Sequence, residues 1–199
     1  MEFSKKMIFL INKIYRILNF KLFKILFSSK FKKLGINSLL KKPFRIDGGK
    51  NIIISDNCFF QSGLWLYSVG INLEKPTLFI GIGSVFGYNN HITCVKNVHI
   101  GNNVLTANNV YISDNLHSYE DINIPIIKQP VKFKRQVKIG NGAWIGENVC
   151  IIGASVGNNS VIGANSVVTS DIPDFCVAVG SPARVIKKYD FLDECWKSI

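Results

Sequence analysis

The chain has 199 residues, 47% of them apolar, with 16 glycines and a net charge of +11, the composition of a turn-rich folded protein with room for one buried domain and little more. Residues 1–42 hold eleven Lys and Arg against Glu2 and leave the remainder nearly neutral, which excludes the body of the chain as a basic nucleic-acid platform. Five cysteines with no CxxC pair exclude a disulfide framework, and Cys58 and Cys94 read as small core residues in a reducing compartment.

Residues 1–33 contain no Pro or Gly and predict a helix. Met7, Ile11, Ile14, Leu18, Leu22 and Ile25 form one stripe, with Lys6, Lys13, Arg16 and Lys24 opposite. No uncharged run is long enough to span a bilayer. Such a basic amphipathic helix suits peripheral contact with an anionic cytoplasmic leaflet, and equally packing on the body of the chain or on a second copy. Gly35 ends the helix and Pro43 marks a linker. Ile54, Phe60 and Leu66, with Cys58 and Leu64, open a weak six-residue repeat that is broken by a loop over residues 70–77.

From Ile82 the period of six is sustained. Ile82, Tyr88, Cys94, Ile100, Thr106 and Ile112 form one set, and Phe86, Ile92, Val98, Val104, Val110 and Leu116 a second set four places on. Neither a helix nor a flat strand has this spacing; a hexapeptide β-helix does, with three hexads closing a triangular coil of about 18 residues. The count resumes at Ile139, Ile145, Ile151, Val156, Ile162 and Val168, with Ala143, Val149, Ser160 and Ser166 between. The phase is lost across residues 118–136, an excursion loop, and the five-residue step from Ile151 to Val156 implies a tight corner at Gly153. The expected fold is all-β: a left-handed parallel β-helix over residues 43–188, preceded by a helical segment over 1–42 and followed by a short helix over 189–199.

Only His91, His99 and His117 can serve as a neutral-pH base. His117 closes the last hexad before the excursion and points outward, where a cleft can form. His99 lies 18 residues earlier and is expected to stack beside it, while His91 belongs to another corner.

The run from Val110 to His117, the loop to Pro130, the stretch from Val137 to Gly146, and the close from Ile162 through Pro173 to Gly180-Ser181-Pro182-Ala183-Arg184 together resemble the hexapeptide-repeat sugar O-acetyltransferases. These use acetyl-CoA and are related to galactoside and maltose acetyltransferases; the N-terminal part looks more like members from capsule and O-antigen clusters. The resemblance implies a cytoplasmic homotrimer acting on a sugar or glycan in surface polysaccharide synthesis, with no metal required and no nucleic acid as partner. It makes His117 the general base of a direct transfer, and Gly142 or Ala143 candidate donors to the oxyanion. It puts Trp144 and Ala164 on the acetyl-CoA groove, and Ser181, Pro182, Arg184 and Lys187 over the cofactor's phosphates. Asn89 and Asn90 fall near the family's substrate asparagine but read equally as corner residues. Asp114 is read as orienting His117, binding a sugar hydroxyl, or turning a corner. Lys132, Lys134 and Arg135 on the excursion face solvent, or meet an acidic glycan or the phosphates. Ser118-Tyr119-Glu120-Asp121 stands where the galactoside type carries an Arg, which weakens a galactoside or maltose acceptor. N-acetylation of an amino sugar nucleotide is the nearest alternative. A zinc lyase of the γ-carbonic-anhydrase kind needs three converging histidines, and a non-enzymatic scaffold needs none.

Overall fold

A computed structural model describes Met7, residues 27–72 and residues 74–199. Most of the helix expected over residues 1–33 lies outside the described residues. Its final stretch is a 3-10 turn at Ser28–Lys30, followed by strand at Lys33–Leu34.

Short parallel strands wind into a three-sided prism. Face A carries Lys33–Leu34, Ile52–Ile54, Thr77–Ile80, Asn97–Ile100 and Val137–Ile139. Face B carries Leu39–Leu40, Phe59–Phe60, Val85–Phe86, Leu105–Thr106, Trp144–Ile145, Val161–Ile162 and Cys176–Gly180. Face C carries Arg45–Asp47, Trp65–Ser68, His91–Cys94, Tyr111–Ser113, Cys150–Ile152 and Val167–Val168. Each rung crosses A, then B, then C, and strands of successive rungs lie about 4.8 Å apart. The prism thus begins at Lys33, because Leu34, Leu40 and Ile46 already keep the six-residue step.

The core is a column of side chains from all three faces, including Ile54, Phe60, Leu66, Ile80, Phe86 and Ile92 in the lower rungs, each at most 1% exposed. Phe60 and Phe86 stack inside it with centroids 4.5 Å apart. Here the repeat differs from its expected phase. Ile82 and Tyr88 point outward, 49% and 45% exposed, and the inward residues of that rung are Ile80, Phe86 and Ile92. The reason is an eight-residue step from Ile92 to Ile100, which makes the rung 20 residues long, not 18: Thr77 pairs with Asn97, Val85 with Leu105 and His91 with Tyr111. From Ile139 to Val168 the expected inward set holds, with Gly153 turning the shortened corner at φ 56.

Every departure from six falls on one edge, CA, where the chain leaves face C for face A. Edges AB and BC cannot vary, because side chains cap the turn of the rung before. On AB, Ile82 N–H donates to Asn102 Oδ1, Asn102 N–H to Asn141 Oδ1 and Asn141 N–H to Asn158 Oδ1, at 2.8–2.9 Å. On BC, the amides of Asn89, Asn109, Asn148 and Asn165 form a ladder, all four at positive φ. Asn supplies both the left-handed backbone and the amide that the ladder needs.

The C-terminal helix is not formed. Ala183–Asp190 turns back antiparallel on Cys176–Gly180, and Cys195–Ser198 adds a further antiparallel strand to face B. The open edge of the last rung offers unpaired N–H and C=O groups, and a hairpin satisfies them where a helix cannot. Asp190 Oδ1 accepts from Leu192 N–H at 2.8 Å in the turn, and Tyr189, Phe191, Phe175 and Trp196 pack edge to face.

The corrected phase is testable. Phe86→Ala is expected to cost about 3–5 kcal/mol by leaving a cavity against Phe60, whereas Ile82→Ala should cost under about 1 kcal/mol as a surface change; urea unfolding of the two variants measures both.

Candidate active site

At Ser113 the chain leaves face C. Asn115–His117 pairs antiparallel with Val131–Phe133, His117 lying opposite Val131, and Ser118 N–H donates to Pro130 O at 2.9 Å. The loop between them is held by Gln129, whose Nε2 donates to Asp121 O at 2.8 Å and Ile124 O at 2.7 Å. His117 therefore stands exposed on the stem of a hairpin that projects from edge CA.

The other two imidazoles are elsewhere. His99 stacks on Phe79 at 4.6 Å on the outside of face A, with Lys138 on its other side. The expected His99–His117 stack fails because the rung is 20 residues long and His117 has already left the coil. His91 lies flat on Trp65 at 4.0 Å, with Tyr111 on its other side at 5.1 Å. Burial holds both His91 and His99 below the usual imidazole range, with the Lys138 charge adding to the effect at His99. With the histidines on three separate elements, no three His, Cys, Asp or Glu side chains converge as a metal site among the described residues.

Several predicted site residues are committed to the fold. Asp114 is fully buried: Oδ1 accepts from Val95 N–H at 2.9 Å, and Oδ2 from Lys96 and Asn97 N–H at 2.8 and 2.9 Å. Its carboxylate has no exposed surface to offer a sugar hydroxyl and makes no hydrogen bond to the imidazole of His117. Burial first, and the charge of Asp114 second, push the neighbouring Cys94 thiol up to about 12. Asn90 is buried as well; its Nδ2 donates to Gly87 O and Ala107 O, and its Oδ1 accepts from Val110 N–H, so it is no substrate contact. Asn89 is exposed at the foot of the BC ladder. Gly142 and Ala143 sit on edge AB with their N–H groups already donating, to Asn102 O at 2.9 Å and Gly140 O at 3.4 Å. Neither is free to meet an oxyanion.

Trp144, Ala164, Ser181, Pro182, Arg184 and Lys187 do come together, on face B and edge BC. Trp144 is 50% exposed on the outer surface of face B. Its row continues through Val161 and Val177 to Lys187, an apolar strip of three strand spacings, about 14 Å, ending in a cation. Ser181 and Pro182 form the hairpin turn at edge BC, joined by a cis peptide bond, with Arg184 exposed beside it. The two Gly residues nearest this strip, Gly146 and Gly163, leave no room for a Cβ: one at Gly146 would lie 2.8 Å from Ala164 N.

One polar group at this edge went unnoticed in the sequence. Tyr88 N–H donates to Asn108 Oδ1 and Asn108 N–H to Glu147 Oε2. The next residue of that column is Ala164, which has no acceptor, so the Glu147 N–H finds no partner among the described residues. The signal was present: Asn108, Glu147 and Ala164 hold equivalent places, two after Thr106, Ile145 and Ile162, and only Ala164 lacks a polar side chain.

A family model described as the hexapeptide repeat of succinyl-transferase matches residues 136–170. A protein of Escherichia coli (strain K12), provisionally named as a lipopolysaccharide biosynthesis O-acetyl transferase, is 33% identical over 174 residues, covering 80% of this chain and 83% of its own. The chain belongs to the hexapeptide-repeat acetyltransferase family. It shares with that family the left-handed parallel β-helix: a maltose O-acetyltransferase from Clostridium difficile 630 superimposes with a TM-score of 0.54 at 30% identity, covering 90% of this chain and 84% of the other. A Mycobacterium tuberculosis relative with an acetyltransferase name is 38% identical over 132 residues, 64% of this chain but only 43% of its own length.

The candidate groups are thus split between edges. His117 projects from CA, whereas Trp144, the Glu147 N–H and the C-terminal hairpin lie on face B and edge BC, and a full face of the prism separates them.

The half-buried imidazoles of His91 and His99 carry a stability signature. Burial disfavours imidazolium, so the folded pKa lies below the unfolded one; stability is full above about pH 6.5 and is lost as pH falls through and below it. Denaturant melts at about pH 7.5 and about pH 5.5 should show this loss, and His91→Phe should shrink the difference between them.

Proposed function

We propose that this chain transfers acetyl from acetyl-CoA to a hydroxyl of a sugar unit in surface polysaccharide synthesis, as a cytoplasmic homotrimer. The observation that carries this reading is the split site. An exposed imidazole on one edge and an apolar strip ending in cations on another form one catalytic cleft only when edge CA of one copy meets face B of the next, and a closed three-fold ring satisfies that contact for every copy.

In this reading acetyl-CoA lies along face B, its arm over Val161 and Val177 and its phosphates near Arg184 and Lys187, where the guanidinium offers a fork of donors. Trp144 flanks the thioester. The acceptor hydroxyl approaches from the neighbouring copy's excursion, and His117 takes its proton as the oxygen attacks the thioester carbonyl. Charge builds on the carbonyl oxygen, and the unoccupied Glu147 N–H is the donor suited to it. The C–S bond then breaks, and the proton held by His117 passes to the leaving thiolate, giving a sugar ester and free CoA. No covalent enzyme intermediate is required. Residues 1–26, basic and amphipathic in sequence, suit attachment to the anionic inner leaflet, beside lipid-linked glycan assembly.

The test is a mass-spectrometric screen of sugar acceptors with acetyl-CoA, treated with mild base so that a labile ester is distinguished from a stable amide. His117→Ala should lower kcat by about 10²–10⁴-fold, and Trp144→Ala should raise KM for acetyl-CoA by about tenfold. Assayed with acetyl-CoA well below its KM, where both variants are impaired, mixed trimers of the two should recover about a quarter of the wild-type sites, since each site takes its halves from two copies. Mixed trimers no more active than either variant would show that the site lies within one chain.

A further inference from the structure

We infer that Asp114 is the positioning residue for His117, the anchor through which the prism sets where the base stands. The inference rests on His117 acting as proposed above, but the juxtaposition behind it does not. The His117 imidazole has no hydrogen-bond partner among the described residues, so its place is set only by the hairpin that carries it. Asp114 makes the most bonds between that hairpin and the prism, and the side chains of Lys134 and Arg135 add ties to Ile152 O and Gly153 O. The Asp114 carboxylate is gripped from the rung before by three consecutive backbone donors, Val95, Lys96 and Asn97. Its main-chain oxygen takes the returning stem, accepting from Lys134 N–H at 2.8 Å and Arg135 N–H at 3.3 Å. Asn115 opens the outgoing stem and ties it back, donating from Nδ2 to Asp114 Oδ1 at 2.9 Å and to Thr93 Oγ1 at 3.2 Å. Both stems of the excursion therefore register on one residue, three before the base: the outgoing stem through its buried carboxylate, the returning stem through its main-chain oxygen.

The chemistry of this anchor requires a carboxylate. Three convergent N–H groups form a nest that favours an anion, and both carboxylate oxygens accept from it. An amide of the same shape turns one oxygen into an NH₂ that confronts those donors, so the hairpin must shift to relieve the clash. The CoA strip on face B and edge BC makes none of these contacts.

The experiment uses Asp114→Asn in the full-length protein, read by imidazole NMR, for which the chain has only three histidines to assign. The expected result is a shift or broadening of the His117 ring signals alone, with those of His91 and His99 unchanged, together with a fall in kcat of tenfold or more and KM for acetyl-CoA held within about twofold. Should Asp114→Asn fail to fold, Asn115→Ala, which removes only the amide tie, should give the same pattern at smaller amplitude. Unchanged His117 signals in the folded variant would overturn the inference, as would equal change at all three rings, the mark of general loosening. The NMR reading holds or fails whether or not His117→Ala abolishes transfer, so failure of the anchor is distinguishable from failure of the proposed chemistry.

Discussion

The constraint on which this structure depends is the stacking of rungs. A two-residue strand has almost no stability alone, but here each strand of the inner rungs pairs in parallel with a rung on either side, and each inward side chain lands on its counterpart about 4.8 Å away. The column running through Phe60 and Phe86 shows how strict this is, since their rings can stack only if the chain returns to the same place after each circuit. Any variation in length must be accommodated where it disturbs neither the pairing nor the column.

Edge CA is where that happens. Side-chain caps on AB and an amide ladder on BC lock those corners to the rungs on either side. Edge CA has no continuous ladder, so it tolerates eight-residue steps, the loop after Ser68, the whole excursion from Asn115, and the shortened corner at Gly153. The freedom that a capped edge lacks is what functional variation needs, and the outward histidine emerges there. The side proposed for the cofactor is built the opposite way, on the locked edge, from small residues and one gap in the capping column at Ala164. A rigid surface suits a molecule common to a whole family, and a variable edge suits whatever acceptor distinguishes its members.

Charge follows the same division. Glu120 with Lys132 and Arg135 with Asp171 pair on the surface of the excursion or at its root, where solvent screening leaves such pairs little net energy. Asp114, by contrast, is buried, and its carboxylate meets only main-chain and amide donors, with no cation among its hydrogen-bond partners. The polar interaction that matters to the architecture is therefore main chain to carboxylate.

How much was legible in the sequence follows from what repeats. The period of six, the turn residues Asn and Gly, and the excursion after His117 with its outward histidine could be read from spacing, because each depends on neighbours a few places away; that Trp144 and Lys187 share one row of face B came from resemblance and from the pairing of strands. Phase was not legible across edge CA: the two extra residues before Ile100 are silent until Ile92 and Ile100 are seen to share a column, and the error moved Ile82 and Tyr88 inward and set His99 beside His117. Nor could a string of residues show that Asp114 and Asn90 spend their polar atoms on rungs 17 to 20 residues away, that Gly142 and Ala143 have no donor to spare, or that the last residues complete a sheet. Local periodicity determined the kind of fold; the contacts between rungs, which exist only once the coil has closed, decided which polar groups hold it together and which remain free for chemistry.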